Sequence, residues 1–217
     1  MIKCVIFDLD GTLIDSSEGI TKSTQYALAT YGIEEPDLSK LKVFIGPPLS
    51  YSFSKYYGFD EAKAREAVDR YRVRYKKLGI FECSLYPGVV ESLEKLKEKG
   101  FLIGIGSSKP ENSCVRILEY FDILKYFDYV VGSTEDGRID TKEEVLNELF
   151  SRIGDIRKEE MCLVGDTIFD IEGANKVGIA SIGVSFGFGN TREMHEAGAI
   201  AICDSMSDVT DTVIGIK

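Results

Sequence analysis

Six short, uninterrupted apolar runs set the strongest limit on how this chain folds. They lie at residues 4–7, 101–105, 129–131, 161–164, 180–184 and 199–202. A strand with one wet face alternates apolar and polar residues, whereas a run without alternation suits a strand buried on both faces, as in a parallel sheet. Between the runs lie amphipathic stretches. Residues 89–99 place apolar side chains at 89, 90, 93 and 96 and meet Gly100, a suitable helix stop. Residues 110–121, 141–153 and 170–177 have the same character, and Gly154 and Gly178 follow the last two. This alternation predicts an α/β protein with a three-layer, Rossmann-like, doubly wound parallel sheet.

One stretch departs from the rhythm. Residues 16–83 contain no convincing buried strand and read as helices at 17–31, 49–57 and 60–78, with a short one near 37–42. Tyr71 and Tyr75, four apart on the last long helix, are expected to pack inward. Tyr86-Pro87-Gly88 then punctuates the return to the βα pattern. The expected organisation is an α/β core of residues 1–15 and 84–217, interrupted by a helical domain of residues 16–83. At 217 residues the chain is long enough to bury a core without staples.

Charge and rare residues exclude several functions. Lys and Arg number 26 against 36 Asp and Glu, a net charge of −10, so the basic face that a nucleic-acid binder needs is not expected. No apolar run approaches 18 residues and the first residues lack signal-peptide character, so a cytoplasmic location away from membranes is expected. Five cysteines (Cys4, Cys83, Cys114, Cys162, Cys203) are scattered without CxxC spacing and read as reduced core residues. The single histidine, His195, stands in a polar stretch and reads as a surface residue. Ser–His–Asp hydrolysis, Cys–His proteolysis and His-ligated zinc all lose their histidines on this count.

Aspartate remains, and it sits where chemistry gathers in an open parallel sheet, at the carboxyl ends of the strands. Residues 4–7 lead into Asp8-Leu9-Asp10-Gly11-Thr12. The 101–105 run leads to Ser107-Ser108-Lys109, and the 161–164 run to Gly165-Asp166-Thr167, with Asp170 four residues after Asp166. Lys142 opens a helix soon after the 129–131 run. Asp8 and Asp10 flank Leu9, so both carboxylates leave the strand end on one side, and Gly11 suits the sharp turn that follows. With Asp166 they make an oxygen cage of the kind Mg²⁺ accepts, and that many carboxylates need a cation to stay ionised together. Ser107, nearby backbone N–H groups and Lys142 are what the equatorial oxygens of a transferring phosphoryl group require.

These motifs, in this order, resemble the four motifs of the haloacid dehalogenase superfamily, and the helical insert resembles that superfamily's C1 cap. The resemblance spans nearly the whole chain and is greatest to the phosphoglycolate phosphatase-like group. It implies a Mg²⁺-dependent phosphatase of small phosphorylated metabolites that works through an aspartyl-phosphate. Asp8 would be the nucleophile and Asp10 the general acid, then base. Ser107 and Lys142 would hold the phosphoryl group, helped by Gly11, Thr12 and Ser108. Asp8, Asp10 (through its main-chain carbonyl), Asp166 and Asp170 would serve the metal, with Asp170 alternatively orienting Lys142. Lys109 is the alternative cation. The second motif reads Ser-Ser-Lys where relatives often have Thr-Asn-Lys, which keeps the hydroxyl. The rigid segment Phe44-Ile45-Gly46-Pro47-Pro48-Leu49 is expected to face the substrate, with Gly46 as its contact.

Two other functions fit parts of this pattern. A phosphomutase of the β-phosphoglucomutase type would share the whole core. A receiver-like signalling module would share the acceptor aspartate, the hydroxyl and the lysine, but it needs neither the helical insert nor an acid/base Asp two residues beyond the acceptor.

Overall fold

In the computed structural model, which describes residues 1–216, the chain runs in this order: β1 (Cys4–Phe7), β2 (Ile14–Asp15), α1 (Ser17–Ala29), α2 (Leu49–Tyr57), α3 (Glu61–Tyr75), β3 (Ser84–Leu85), α4 (Val89–Glu98), β4 (Leu102–Pro110), α5 (Glu111–Tyr120), β5 (Tyr129–Ser133), α6 (Lys142–Ile153), β6 (Met161–Gly165), α7 (Ile168–Val177), β7 (Ala180–Val184), α8 (Thr191–Glu196), β8 (Ala201–Cys203) and α9 (Met206–Gly215). It divides into two compact units, one of Met1–Ile14 with Leu85–Lys217 and one of Asp15–Ser84.

The first unit is built on a six-stranded sheet in the order β5-β4-β1-β6-β7-β8, and every neighbouring pair is parallel. All four residues of β1 are fully buried, as befits the unalternated run that forms it. On one face Cys4, Ile6, Val131 and Leu163 pack with Val145, Leu146 and Leu149 of α6 and Ala174 and Val177 of α7. Chain order reverses at β1: β4 and β5 extend the sheet to one side, and β6 to β8 extend it to the other. Such a switch point opens a crevice at the carboxyl ends of the strands, here β1, β4 and β6. Register brings those ends level, because Phe7 pairs with both Ile105 and Val164.

The second unit is helical. Phe44, Phe53 and Phe59 form its aromatic centre, with ring centroids 4.9 Å apart for Phe44–Phe53 and 5.9 Å for Phe53–Phe59. Tyr71 and Tyr75 are both buried and stack at 5.2 Å, the inward face expected of α3.

Several boundaries differ from the sequence reading; α1 ends at Ala29 and α3 at Tyr75, short of 31 and 78. β4 continues to Pro110, so Ser107-Ser108-Lys109 belongs to the strand, where its register against β5 shifts between Ser107 and Pro110. The last strand begins at Ala201, two residues into its apolar run. The five cysteines are free thiols, and burial pushes those of Cys4 and Cys162 up to about 12, far from reactive thiolates. His195 is exposed. Among the described residues, no helix is long and apolar enough to cross a membrane.

Candidate active site

The turn after β1 carries the first two carboxylates. The Asp8 N–H donates to the Val164 carbonyl at 2.9 Å, which extends the ladder one residue past β1. The chain then folds back sharply: the Leu9 carbonyl accepts from the N–H groups of Leu13 and Ile14 at 3.0 and 3.1 Å, and Gly11 turns at φ 79°. Leu9 is fully buried and anchors the turn from beneath, while Asp8 stays 7% exposed.

Lys142 is delivered by the first turn of α6. The Thr141 hydroxyl accepts the Glu144 N–H at 3.2 Å, and the Glu144 carboxylate accepts the N–H groups of Asp140 and Thr141 at 3.0 Å, a capping box that sets where the helix begins. The Lys142 Nζ then donates to Asp8 Oδ1 at 2.6 Å, to Asp170 Oδ1 at 2.8 Å and to the Gly106 carbonyl at 2.8 Å. An ammonium has three protons, and all three are placed. Burial opposes the charge, but Asp170 and Asp8 outweigh it and hold the lysine above its ordinary range.

The stem of Lys142 lies against Gly173 of α7. A Cβ on Gly173 would stand 2.4 Å from Lys142 Cγ and 2.8 Å from its Cβ. In an open helix Gly→Ala gains up to about 1 kcal/mol. Here the sign reverses, because overpacking against a side chain pinned at three points costs about 1–3 kcal/mol. Gly173→Ala is expected to lower the urea midpoint and, by displacing the ammonium, to cut kcat by about 10–100-fold. A variant more stable than the parent and equally active would show that the lysine is free to move.

Asp170 has both oxygens engaged. Oδ1 meets Lys142, and Oδ2 accepts the Thr167 N–H at 3.0 Å and its hydroxyl at 2.9 Å. Asp166 is 1% exposed; its Oδ2 accepts the Phe188 N–H at 2.9 Å, and the Thr12 hydroxyl stands 3.5 Å from Oδ1. Burial, then the neighbouring Asp170 and Asp8, push the Asp166 carboxyl well above the carboxylate range. Burial also pushes Asp8 up to about 6; Lys142 pulls against it, and Asp170 and Asp10 add to it.

Asp10 points to a different cation. The Lys109 Nζ reaches Asp10 Oδ1 at 3.0 Å and Oδ2 at 2.7 Å, and the Lys109 side chain is only 6% exposed. Ser107 is buried, and its Oγ accepts the Lys109 N–H at 3.3 Å, whereas Ser108 is exposed. The ends of β1, β4 and β6 therefore gather Asp8, Asp10, Gly11, Thr12, Ser107, Lys142, Asp166 and Asp170. Gly46 belongs to the helical unit, in the turn before α2, at φ 99°. Two members of the cluster had no side-chain signature in the sequence: the Gly106 carbonyl on Lys142 and the Phe188 N–H on Asp166. Only the glycines flanking Phe188 hinted at the second.

The donor set suits a hard divalent cation. Asp8 and Asp166 are both carboxylates pushed up by burial and by neighbouring aspartates, and a cation beside them would relieve both. Among the described residues no three carboxylates, thiols or imidazoles converge as a ready cage. An ion here would draw on Asp8, Asp166 and the main-chain oxygen of Asp10, then on water and a substrate phosphate, the ligand habit of Mg²⁺.

A parallel sheet with its switch point at β1, an aspartate turn on that strand and a buried lysine bridging two further aspartates define a class of hydrolase. The chain belongs to the haloacid dehalogenase-like hydrolases, whose family profile matches residues 5–184. It is an enzyme of that family's phosphatase group. A 5'-nucleotidase from Pseudomonas aeruginosa is 43% identical over 190 residues, 88% of this chain and 86% of that protein. A phosphoglycolate phosphatase from Vibrio parahaemolyticus is 30% identical over 98% of this chain and 96% of its own length. The crystal structure of a predicted phosphatase from Clostridium acetobutylicum superposes with a TM-score of 0.95 at 42% identity, over 100% of both chains.

Proposed function

We propose that this protein is a Mg²⁺-dependent phosphatase of small phosphomonoesters, with nucleoside 5'-monophosphates as the leading substrate class, and that it works through an aspartyl-phosphate at Asp8. The observation that carries the reading is the buried Lys142 ammonium, bonded to both Asp8 and Asp170 at the switch point of the sheet. The leading substrate class follows the 5'-nucleotidase relative; phosphoglycolate is the comparison substrate.

In this reading Asp8 attacks phosphorus, so that an Oδ–P bond forms as the bond to the leaving oxygen breaks. Asp10, protonated at this point, gives its proton to that oxygen and becomes a carboxylate, and Lys109 fixes the side chain that does so. Asp10 then takes a proton from water, which attacks the same phosphorus and releases inorganic phosphate and a free Asp8. Lys142 and the Ser107 hydroxyl balance and hold the phosphoryl oxygens, with Gly11 and Thr12 beside them. Asp170 orients Lys142, because both of its oxygens are already engaged. Bound between Asp8 and Asp166, Mg²⁺ would supply positive charge that keeps the carboxylates ionised and offsets the charge of the phosphate. In this reading the helical unit serves as the cap, with Gly46 its proposed substrate contact.

Phosphate release from a panel of nucleoside 5'-monophosphates, phosphoglycolate and sugar phosphates, with and without metal, tests this directly. Excess EDTA should abolish turnover and Mg²⁺ should restore it. Ca²⁺ should restore little, because its longer bonds and larger ligand number would engage both oxygens of the nucleophile. Full activity in EDTA contradicts the reading. An isomerised sugar phosphate formed without phosphate release would instead make the protein a phosphomutase.

A further inference from the structure

We infer that the segment Ser185–Asn190 is the positioning element for Asp166, and that the main-chain N–H of Phe188 orients this carboxylate toward the cation. The inference rests on the reading of Asp166 as a metal ligand.

The segment reads Ser185-Phe186-Gly187-Phe188-Gly189-Asn190 and is tied down at both ends. The Ser185 N–H donates to the Cys203 carbonyl at 2.9 Å, and its hydroxyl donates to Asp204 Oδ1 at 2.5 Å. Asn190 caps α8, its Oδ1 accepting from Arg192 N–H at 2.9 Å and Glu193 N–H at 3.4 Å. The Phe186 ring packs 4.9 Å from that of Tyr86. Anchors at each end leave the middle little freedom to slide.

That middle is pressed onto Asp166. A Cβ on Gly187 would lie 2.3 Å from the Asp166 Cβ and 2.5 Å from the Gly11 carbonyl oxygen. A Cβ on Gly189 would lie 2.0 Å from the Asp166 carbonyl oxygen and 2.9 Å from the Thr167 Cα. No side chain fits at either position, which is the physical reason for glycine on both sides of Phe188. The close approach delivers one well-formed hydrogen bond, Phe188 N–H to Asp166 Oδ2 at 2.9 Å. The contact on Oδ1, from the Thr12 hydroxyl at 3.5 Å, is too long to fix the carboxylate alone. A buried carboxylate pushed by Asp8 and Asp170 needs such a donor to hold one orientation, and outer-shell donors of this kind typically change metal affinity by about 10–100-fold.

The test is direct metal binding, read by Mn²⁺ electron paramagnetic resonance with Mg²⁺ as competitor, on the full-length protein. Replacing the Phe188 amide by an ester, through incorporation of the α-hydroxy acid, removes the N–H and keeps the phenyl ring. The ester protein should bind Mn²⁺ and Mg²⁺ about tenfold more weakly or worse, while still folding in metal-free buffer with a modestly lower melting temperature from the lost hydrogen bond. Phe188→Ala keeps the N–H and should bind within twofold of the parent. Gly189→Ala, which pushes the segment off Asp166, should reproduce the ester's loss of affinity. Unchanged affinity in the ester protein overturns the inference. Asp166→Asn separates the two levels. If it abolishes binding while the ester does not weaken it, only the role of the segment fails; if it binds normally, the metal-ligand reading fails and the role of the segment with it.

Discussion

Asp8→Asn is expected to lose at least about 10³-fold in kcat on every phosphomonoester, because no acyl-phosphate can form on an amide. The loss should not come from unfolding. Asn keeps an Oδ1 that can accept from the Lys142 Nζ, 2.6 Å away in the parent. Asp8 is an acid whose pKa in the folded protein, about 6, lies above its ordinary 3.8. The folded state therefore binds its proton more tightly than the unfolded chain does. That favours folding at low pH, and the penalty grows between about 3.8 and 6 and is complete above it. At pH 7 the substitution removes this penalty, so the melting temperature in metal-free buffer should be no lower than that of the parent. Near-parental turnover in Asp8→Asn would place the nucleophile elsewhere.

Lys142→Met should damage stability and activity together, for one reason. It leaves Asp8 and Asp170 buried at 10% and 4% side-chain exposure without the ammonium that now bonds both. Removing one partner of such a group costs about 3–5 kcal/mol. With no ammonium to balance the phosphoryl oxygens, kcat should fall by about 10²–10³-fold. The double variant Lys142→Met/Asp170→Asn discharges one stranded carboxylate. It should recover part of the stability and none of the activity. Recovery of both would mean that Lys142 is a packing element, and full stability in the single variant would mean that the aspartates never needed it. Urea melts and phosphate release on the three proteins read both quantities.

The sheet was legible because its strands are buried on both faces, so hydrophobicity alone marks them; β1 is the extreme case, with four residues at zero exposure. The helices were legible from amphipathic spacing and stop glycines. What blurred was where polar chemistry and strand geometry overlap. β4 extends through Ser107-Ser108-Lys109 because parallel pairing tolerates polar side chains at the end of a strand that opens into a crevice. The aspartate turn and Lys142 could be picked out because side chains carry their chemistry. The pairing of Lys142 with Asp8 and Asp170 was implied only by the family resemblance, and that of Lys109 with Asp10 not at all. Lys142 serves Asp8 and Asp170 while Lys109 serves Asp10, and that division depends on where α6 and β4 place each Cα. The Phe188 N–H is the hardest case. A main-chain donor has no letter of its own, and only the flanking glycines betray that backbone must come close.

The two N-terminal aspartates act at different moments, and that timing is the most direct test. Asp10→Asn keeps the nucleophile but removes the base that water needs, a penalty of about 10²–10⁴-fold on the second half-reaction. p-Nitrophenolate leaves with little protonation, so the first half-reaction should be slowed much less with p-nitrophenyl phosphate. Acid quench of Asp10→Asn mixed with that substrate and Mg²⁺, followed by peptide mass spectrometry, should show a hydroxylamine-sensitive phosphoryl group on Asp8. The same experiment on Asp8→Asn should show none. A phosphoryl group found on Asp10 or on a serine, or no phosphoenzyme in Asp10→Asn despite a burst of p-nitrophenolate, would contradict the assignment of Asp8 as nucleophile.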